Sequence, residues 1–421
     1  MNEYDVIVVG TGVAGLFTAL NLGKDKKILM ITKSSMDLGD SFLAQGGICV
    51  QLDDDDYDSF MEDTLRAGHY ENKREAVDVM IRSSREIIAD LVNIGVEFDR
   101  YDSDFSYTKE GAHSKARILH SKDTTGYEIS SKLISKVKGL NNVTILEKST
   151  VIDVLSKDNH CYGVIVKKEN NELKIFYSQA TVLATGGIGG LYPRSTNYPH
   201  LTGDALAIAL KHNIKVKDMD YVQIHPTSLY TEKPGRAFLI SESVRGEGAV
   251  LIDKNGNRFT DELQPRDVLT KAIYDQMEKD KMPYVRLCLA GYVNADIKKR
   301  FPGIYEHCKK EGYDITKECI PVVPAQHYFM GGIEVDLKSK TSMENLYAVG
   351  ETSCNGVHGR NRLASNSLLE SFVFSKIAAQ NIMKNWKVEK HPKFSEPDYL
   401  PYDIILEENK QLILDEIRKG N

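Results

Sequence analysis

Residues 4–9, YDVIVV, form an apolar run rich in β-branched side chains and closed by Gly10, the mark of a buried strand. GTGVAG follows at 10–15, apolar positions then recur at helical spacing to about Gly23, and KKILMIT at 26–32 returns to strand character. Together they make a β-α-β unit. Helical periodicity runs again from about Glu71 to Asn93 and from Gly126 to Lys138. Three strands are expected near 143–155, 161–168 and 172–184, and a helix near 203–212.

Residues 219–335 are patterned differently, with few long apolar runs and many short polar turns. PRDVLTKAIYDQMEKD at 265–280 is the clear helix there, with Pro265 at its start. NLYAVGE at 345–351 is again a strand ending in glycine, and a helix is expected from Asn366 to about Lys384 with Ser365 or Asn366 as N-cap. The tail from about 388 is polar and ends in a short amphipathic piece. The strand-glycine pattern thus stands at both ends of the chain, which predicts one discontinuous domain carrying an inserted one, with a ligand crevice between them.

Composition narrows this picture. The chain has 421 residues, 41% hydrophobic and 27% charged, room for two or three domains. A net charge of −6 argues against a general nucleic-acid binder but leaves room for a local cationic pocket. The acidic run Asp53–Asp56 reads as a solvated loop. The six cysteines are scattered without metal-ligand or redox spacing, as buried or inert thiols of a reducing compartment would be. No stretch reaches membrane-span length, and the N-terminus enters its first strand without a leader pattern, so a cytoplasmic protein is expected.

Gly10, Gly12 and Gly15 carry the G-x-G-x-x-G spacing in its proper strand-turn-helix context, which suits close backbone approach to a pyrophosphate. The acidic residue expected at the end of the second strand is replaced by Lys33, which weakens a plain NAD reading. Two more strands end in glycine, ATVLATGGIGGLY at 180–192 and LYAVGE at 346–351. Three strand ends on one long ligand fit FAD better than NAD, with Glu351 as an acceptor for ribityl hydroxyls. The small-residue loop DSFLAQGGI at 40–48 can lie flat against an isoalloxazine ring. The fold class expected is α/β, a Rossmann-like FAD-binding domain over 1–218 and 336–387 with an inserted α+β capping domain at 219–335.

A second set of residues carries charge. EGAHSKARILHSKDTTG at 110–126 holds Glu110, His113, Arg117, His120 and Asp123. His225 stands at an expected strand end before proline, Ser241, Glu242 and Arg245 lie in LISESVRGEGA, and His327 precedes a glycine pair. Arg266 opens a helix, and RNRLASNS at 360–367 places Arg360 and Arg362 just before another, where the macrodipole disfavours cations. Arginine forks grip carboxylates and histidines add donors, so the set suits a small dicarboxylate, with Arg362 awaiting one of its carboxylates. No histidine pair has metal-ligand spacing, and no serine elbow occurs.

Taken together, GTGVAGL, AQGGI, HSKARILHSKDTTG, ATGGIGGLY, QIHPT, SVRGEGA, PRD, QHYFMGGI and GRNRLASNSLLE resemble the L-aspartate oxidases, within the fumarate reductase and succinate dehydrogenase flavoprotein superfamily. The likeness spans residues 4 to about 385, and HSKARILHSKDTTG tips it toward the oxidases. The resemblance implies FAD-dependent oxidation of L-aspartate to iminosuccinate, the first step of de novo NAD synthesis, by hydride transfer from Cα to flavin N5. It implies oxygen or fumarate as electron acceptor and passage of the product to quinolinate synthase. Thr11, Val13, Ala14, Lys33, the loop Asp40, Ser41, Phe42, Leu43, Ala44, Gln45, Gly46 and Gly47, then Val151, Asp204, Glu351, Ser367 and Leu368 would line the FAD. His225, Ser241, Glu242, Arg266, His327 and Arg362 would line the substrate, with Arg266 at the proton-carrying position of the reductases and Glu110 beside the amine. Asp40 stands where membrane-bound succinate dehydrogenases attach flavin covalently, so non-covalent FAD is expected. The resembled family ends in a three-helix domain, and residues 388–421 are expected to be a remnant of it. A fumarate reductase or succinate dehydrogenase-like flavoprotein is the alternative, which Glu110 disfavours. A flavin-bound protein without turnover is a third, disfavoured by the intact arginines and histidines.

Overall fold

A computed structural model describes residues 2–394 and 401–420. Its main sheet places five parallel strands side by side in the order Val143–Leu146, Ile28–Ile31, Glu3–Val9, Leu173–Leu183 and Leu346–Ala348. The long strand Leu173–Leu183 also pairs antiparallel, through its first half, with His160–Lys167, which pairs in turn with Thr150–Lys157. The expected strand at 143–155 is therefore two strands in two different pairings. Lys148, at φ 51°, makes the break between them.

Both faces of the parallel sheet are covered, which is why its strands read as unbroken apolar runs. Val6 and Val8 point into a core shared with the helices Val13–Asn21, Arg74–Ile94, Thr125–Lys138 and Asn366–Lys384. Ile7 and Val9 point the other way, toward the helix Asp204–Lys211 and the end helix Tyr402–Lys419. Phe17 and Phe372 lock the first and last helices of the first layer edge to face, with ring centroids 5.0 Å apart. On the second layer, Ile405, Ile413 and Ile417 bury one stripe of the end helix, and a Cβ at Gly203 would stand 2.9 Å from the Ile413 side chain.

Residues 219–335 hold a second, antiparallel sheet in the order Val222–Leu229, Ile320–Phe329, Val285–Cys288 and Val250–Ile252. It packs with the helices Arg266–Asp280 and Pro302–Lys310 around Leu251, Leu269, Ile273, Leu287 and Phe301. Gly332–Glu334 belongs to a third small sheet, between Val216–Lys217 and Ser353–Cys354. Three sequence expectations change here. Cys288 and Cys319 are joined in a disulfide, because antiparallel pairing of Leu287 with Ile320 brings their Cα atoms to 4.2 Å; the other four cysteines are free and buried. His225 does not end its strand: Pro226 is accommodated where the register shifts between His225 and Ser228, and the strand continues to Leu229. The acidic run is not wholly solvated either, since Asp56 is fully buried where the helix Tyr57–Ala67 begins.

Candidate active site

The carboxyl ends of the parallel strands open onto one elongated cavity. Val9 and Gly10 close the strand Glu3–Val9, Ile31 to Lys33 the strand Ile28–Ile31, Leu183 to Gly186 the strand Leu173–Leu183 and Val349 to Glu351 the strand Leu346–Ala348. Its empty volume, mouth included, is about 1820 Å³, above the roughly 300–1,000 Å³ of a small-molecule pocket. A dinucleotide and a small substrate together suit that size. Gly10 adopts φ +112°, and a Cβ there would stand 2.0 Å from the Ala184 carbonyl oxygen. Only glycine lets the strand Glu3–Val9 end so close to the strand Leu173–Leu183.

Two polar atoms of the 40–47 loop at this cavity lack partners among the described residues. Asp40 Oδ2 and Gln45 Oε1 are buried without a hydrogen bond. Asp40 Oδ1 accepts the Tyr198 N–H at 2.9 Å, and burial pushes its carboxyl up to about 7. Burial, then the nearby Asp40, pushes Glu351 up to about 8, while its Oε1 accepts the Phe329 N–H at 2.9 Å. Lys33 spans to the opposite wall, 2.7 Å from Asp204 Oδ2, so a carboxylate reaches this end of the crevice from the helix Asp204–Lys211.

At the other end of the cavity the charged residues converge. Arg266 opens its helix and donates through Nε to Glu242 Oε2 at 2.7 Å and through Nη1 to Gln223 Oε1 at 2.7 Å. Burial works to raise the Glu242 pKa, but Arg266 and Arg245 outweigh it and hold the carboxyl below its usual range. Arg362 is 4% exposed and lies over the Tyr328 ring at 4.3 Å. It donates to Ser367 Oγ and to Gln223 Oε1, the latter at 3.3 Å. Arg362 makes no ion pair among the described residues, and burial, then Arg266, lowers it to about 10. A buried guanidinium without a counter-charge is a receptor for an anion.

His225 and His327 sit edge to face with ring centroids 5.1 Å apart, both pushed well below the usual histidine value by burial and then by Arg266. The Thr227 N–H donates to His225 Nδ1 at 3.2 Å, and His327 Nδ1 lies 2.8 Å from the Thr196 hydroxyl. Glu110 accepts from Ser365 Oγ at 2.6 Å, and burial, then Glu242, raises its pKa. The cavity therefore joins cations and neutral donors with carboxyls of two kinds, Glu242 lowered by its arginines and Glu110 raised by burial.

Most of the residues expected to form the site line this one cavity, including Ser241, Val151, Ser367 and Leu368. Gly15 does not: a Cβ there would meet the Gly10 carbonyl oxygen at 2.1 Å, so it serves helix-strand packing. Phe42 also turns away and packs edge-on against Tyr127 at 6.0 Å. Arg360 stands apart, half exposed, over the Tyr221 ring and 3.8 Å from Glu71. His120 pairs with Asp99 at 3.1 Å, and Asp123 accepts the N–H groups of Gly303 and Ile304 at 3.2 and 2.8 Å. Gln223 was absent from the expected set, although it stands two positions before His225 in QIHPT, on the same face of the strand.

Comparison with known proteins agrees with this geometry. The family model for an FAD binding domain matches residues 5–368. The fold and crevice are those of an FAD-binding flavoprotein. L-aspartate oxidases of Clostridium perfringens and Clostridium acetobutylicum are 50% and 52% identical to the chain, each over 90% of it, covering 86% and 88% of those proteins. A quinol-fumarate reductase structure superposes with a TM-score of 0.87 at 28% identity, over 99% of this chain and 75% of that one. The chain belongs to the L-aspartate oxidase family of flavoproteins.

Proposed function

We infer that the chain oxidises L-aspartate to iminosuccinate with FAD as its cofactor, a reading carried by the buried Arg362, which has no ion pair among the described residues, beside Arg266 and Glu110 in one cavity. The dinucleotide crevice fits FAD. The Gly10–Ala14 turn would take the pyrophosphate, Lys33 and Asp204 would flank one end, and Glu351 and the 40–47 loop would meet the ribityl and ring end. Asp40 spends one oxygen on Tyr198 and carries no imidazole, which supports non-covalent attachment. FAD, when bound, accepts the electron pair and hydrogen leaving Cα.

The chain's own residues bind and orient the substrate. Arg362 and His327 would hold one carboxylate of aspartate, and His225 with Ser241 the other, which fixes Cα in one pose. Arg266, neutralised in part by Glu242, would add positive potential beside that clamp. Glu110 would face the ammonium, and its raised pKa suits it to take a proton as the amine becomes an imine. The clamp alone would also serve fumarate or succinate, so Glu110 distinguishes an oxidase from a reductase.

We read residues 219–335 as a cap that excludes water from this chemistry. Fumarate or oxygen would reoxidise the enzyme, and quinolinate synthase would consume the product. No helix among the described residues is long and apolar enough to cross a membrane, which agrees with a cytoplasmic enzyme. The test is a product balance. L-aspartate and fumarate should yield succinate in equal amount to oxaloacetate and ammonia, the hydrolysis products of the imine. Succinate formed without oxaloacetate would overturn the assignment.

A further inference from the structure

Behind Glu110 lies a buried charge cluster that the proposed chemistry leaves unused. Asp56 and Asp63 stand two turns apart on the helix Tyr57–Ala67 and its N-cap, and Arg117 lies between them, fully buried. Its Nε and Nη2 donate to the two Asp56 oxygens at 3.2 and 2.9 Å. Nη1 donates to Asp63 Oδ2 at 2.6 Å and reaches His113 Nδ1 at 3.2 Å, and Nη2 also donates to Ser59 Oγ at 2.8 Å. Every N–H of the guanidinium is used, so its orientation is fixed.

That orientation decides the state of His113. Arginine donates only, so His113 Nδ1 must accept and the proton must sit on Nε2. Nε2 lies 3.0 Å from the Ala364 carbonyl oxygen, which accepts only. Burial pushes the imidazole down to about 4, so it stays neutral. Ala364 is two residues from Arg362 and next to Ser365, whose hydroxyl donates to Glu110. Ser365 adopts φ 62°, a left-handed conformation that a non-glycine residue holds only when its surroundings enforce it.

We propose that His113, held in one tautomer by Arg117, is a positioning residue that pins the Ala364–Ser365 turn and thereby sets Glu110 and Arg362 at the separation an amino dicarboxylate requires. The proposal rests on the amine-holding role of Glu110 given above. A dicarboxylate without an amine uses Arg362 but not Glu110. Loss of the His113 contact should therefore harm aspartate far more than fumarate, whereas a purely structural role would harm both alike.

The experiment measures two half-reactions on FAD-loaded enzyme: flavin reduction by L-aspartate, and reoxidation of dithionite-reduced flavin by fumarate. His113→Phe should lower kcat/KM for aspartate about tenfold or more, chiefly through KM, the effect of one lost buried hydrogen bond. The fumarate value should change less than about threefold. His113→Gln, which keeps one donor and one acceptor, should recover part of the loss. Equal losses for both substrates, or none, would overturn the proposal. Glu110→Gln separates the two levels: if it shifts the aspartate-to-fumarate ratio while His113→Phe does not, the positioning inference alone fails; if Glu110→Gln shifts nothing, the role of Glu110 fails and the proposal with it. Should His113→Phe not fold, the ¹⁵N spectrum of the unaltered protein decides: Nε2-protonated neutral His113 is expected at neutral pH, and the Nδ1-protonated form would overturn the proposal.

Discussion

Arg266 and Arg362 share one neutral acceptor, Oε1 of Gln223, at 2.7 and 3.3 Å. The other end of that amide donates to Asn361 Oδ1 and to the Arg362 carbonyl oxygen, both at 2.8 Å. The amide cannot flip, because every partner on one side only accepts and every partner on the other only donates. Gln223 thus spaces two like charges without neutralising them, and the clamp stays available for an anion.

Changing Gln223 to glutamate tests that point. A carboxylate between the guanidiniums would compete with the substrate, and it could not donate to Asn361 or to the Arg362 carbonyl. The variant should bind FAD normally while its Kd for a dicarboxylate such as malonate rises about tenfold or more, the scale of one buried hydrogen bond or charge lost. Titration followed through the flavin spectrum reads both quantities. Unchanged malonate affinity would contradict the spacing role.

Arg362→Lys keeps a charge but loses the planar fork and the stacking on Tyr328. KM for aspartate should rise by roughly 10- to 100-fold, the scale of a buried charge partner lost or misplaced, with FAD content unchanged. Steady-state kinetics on the flavin-loaded variant checks it. A KM within about twofold of the starting value would mean that Arg362 does not hold a carboxylate.

Phe372→Ala removes the ring that meets Phe17 between the first and last helices of the FAD-side layer. The residue is fully buried, so the loss should reach about 3–5 kcal/mol. Denaturant unfolding of the FAD-free protein measures this free of cofactor linkage. A cost below about 1 kcal/mol would mean that this interface is not packed as described.

His358 offers a clean pH test. It is buried, and desolvation followed by Arg362 holds it well below the ordinary histidine value of 6.5. The unfolded chain therefore binds one more proton at this position as the pH falls below 6.5. The contribution is fully present above that pH and is lost on acidification. Between pH 6.5 and 5, the unaltered protein should lose stability faster than His358→Phe, by a difference approaching about 1.4 kcal/mol per pH unit. The comparison with the variant cancels Glu351 and Glu370, which burial raises to about 8 and about 7 and whose sign is opposite. Parallel pH profiles would contradict a buried, neutral His358.

The parallel sheet was legible in the sequence because strands buried on both faces read as continuous apolar runs. The helix Asn366–Lys384 was legible as a long periodic pattern, but Ser365, at its N-cap position, makes no side-chain cap hydrogen bond and gives its hydroxyl to Glu110 instead. The second sheet was not. Its two longest strands are buried at most positions rather than alternating, and Gln223, His225, Pro226, Pro321, Pro324, Gln326 and His327 interrupt the apolar runs that would have marked them. The helix Tyr57–Ala67 was hidden by the acidic run before it, where Asp56 is buried only because Arg117, far along the chain, meets it. The Cys288–Cys319 bridge depends on strand pairing that no cysteine spacing encodes. Site residues were legible as residue types beside glycines and helix starts. Their joining in one cavity, and the place of Gln223 between two arginines, required the fold.

The most direct test of the central claim is to add L-aspartate to the oxygen-free, FAD-loaded enzyme and watch the visible flavin spectrum. Prompt bleaching by L-aspartate, with none by succinate or D-aspartate, is the expected result of the proposed site, in which Arg362 with His327 and His225 with Ser241 would hold the two carboxylates, Arg266 would add positive potential and Glu110 would read the amine. No bleaching by L-aspartate, with fumarate still reoxidising chemically reduced flavin, would contradict it: the clamp would stand, and the enzyme would not be an oxidase of this amino acid.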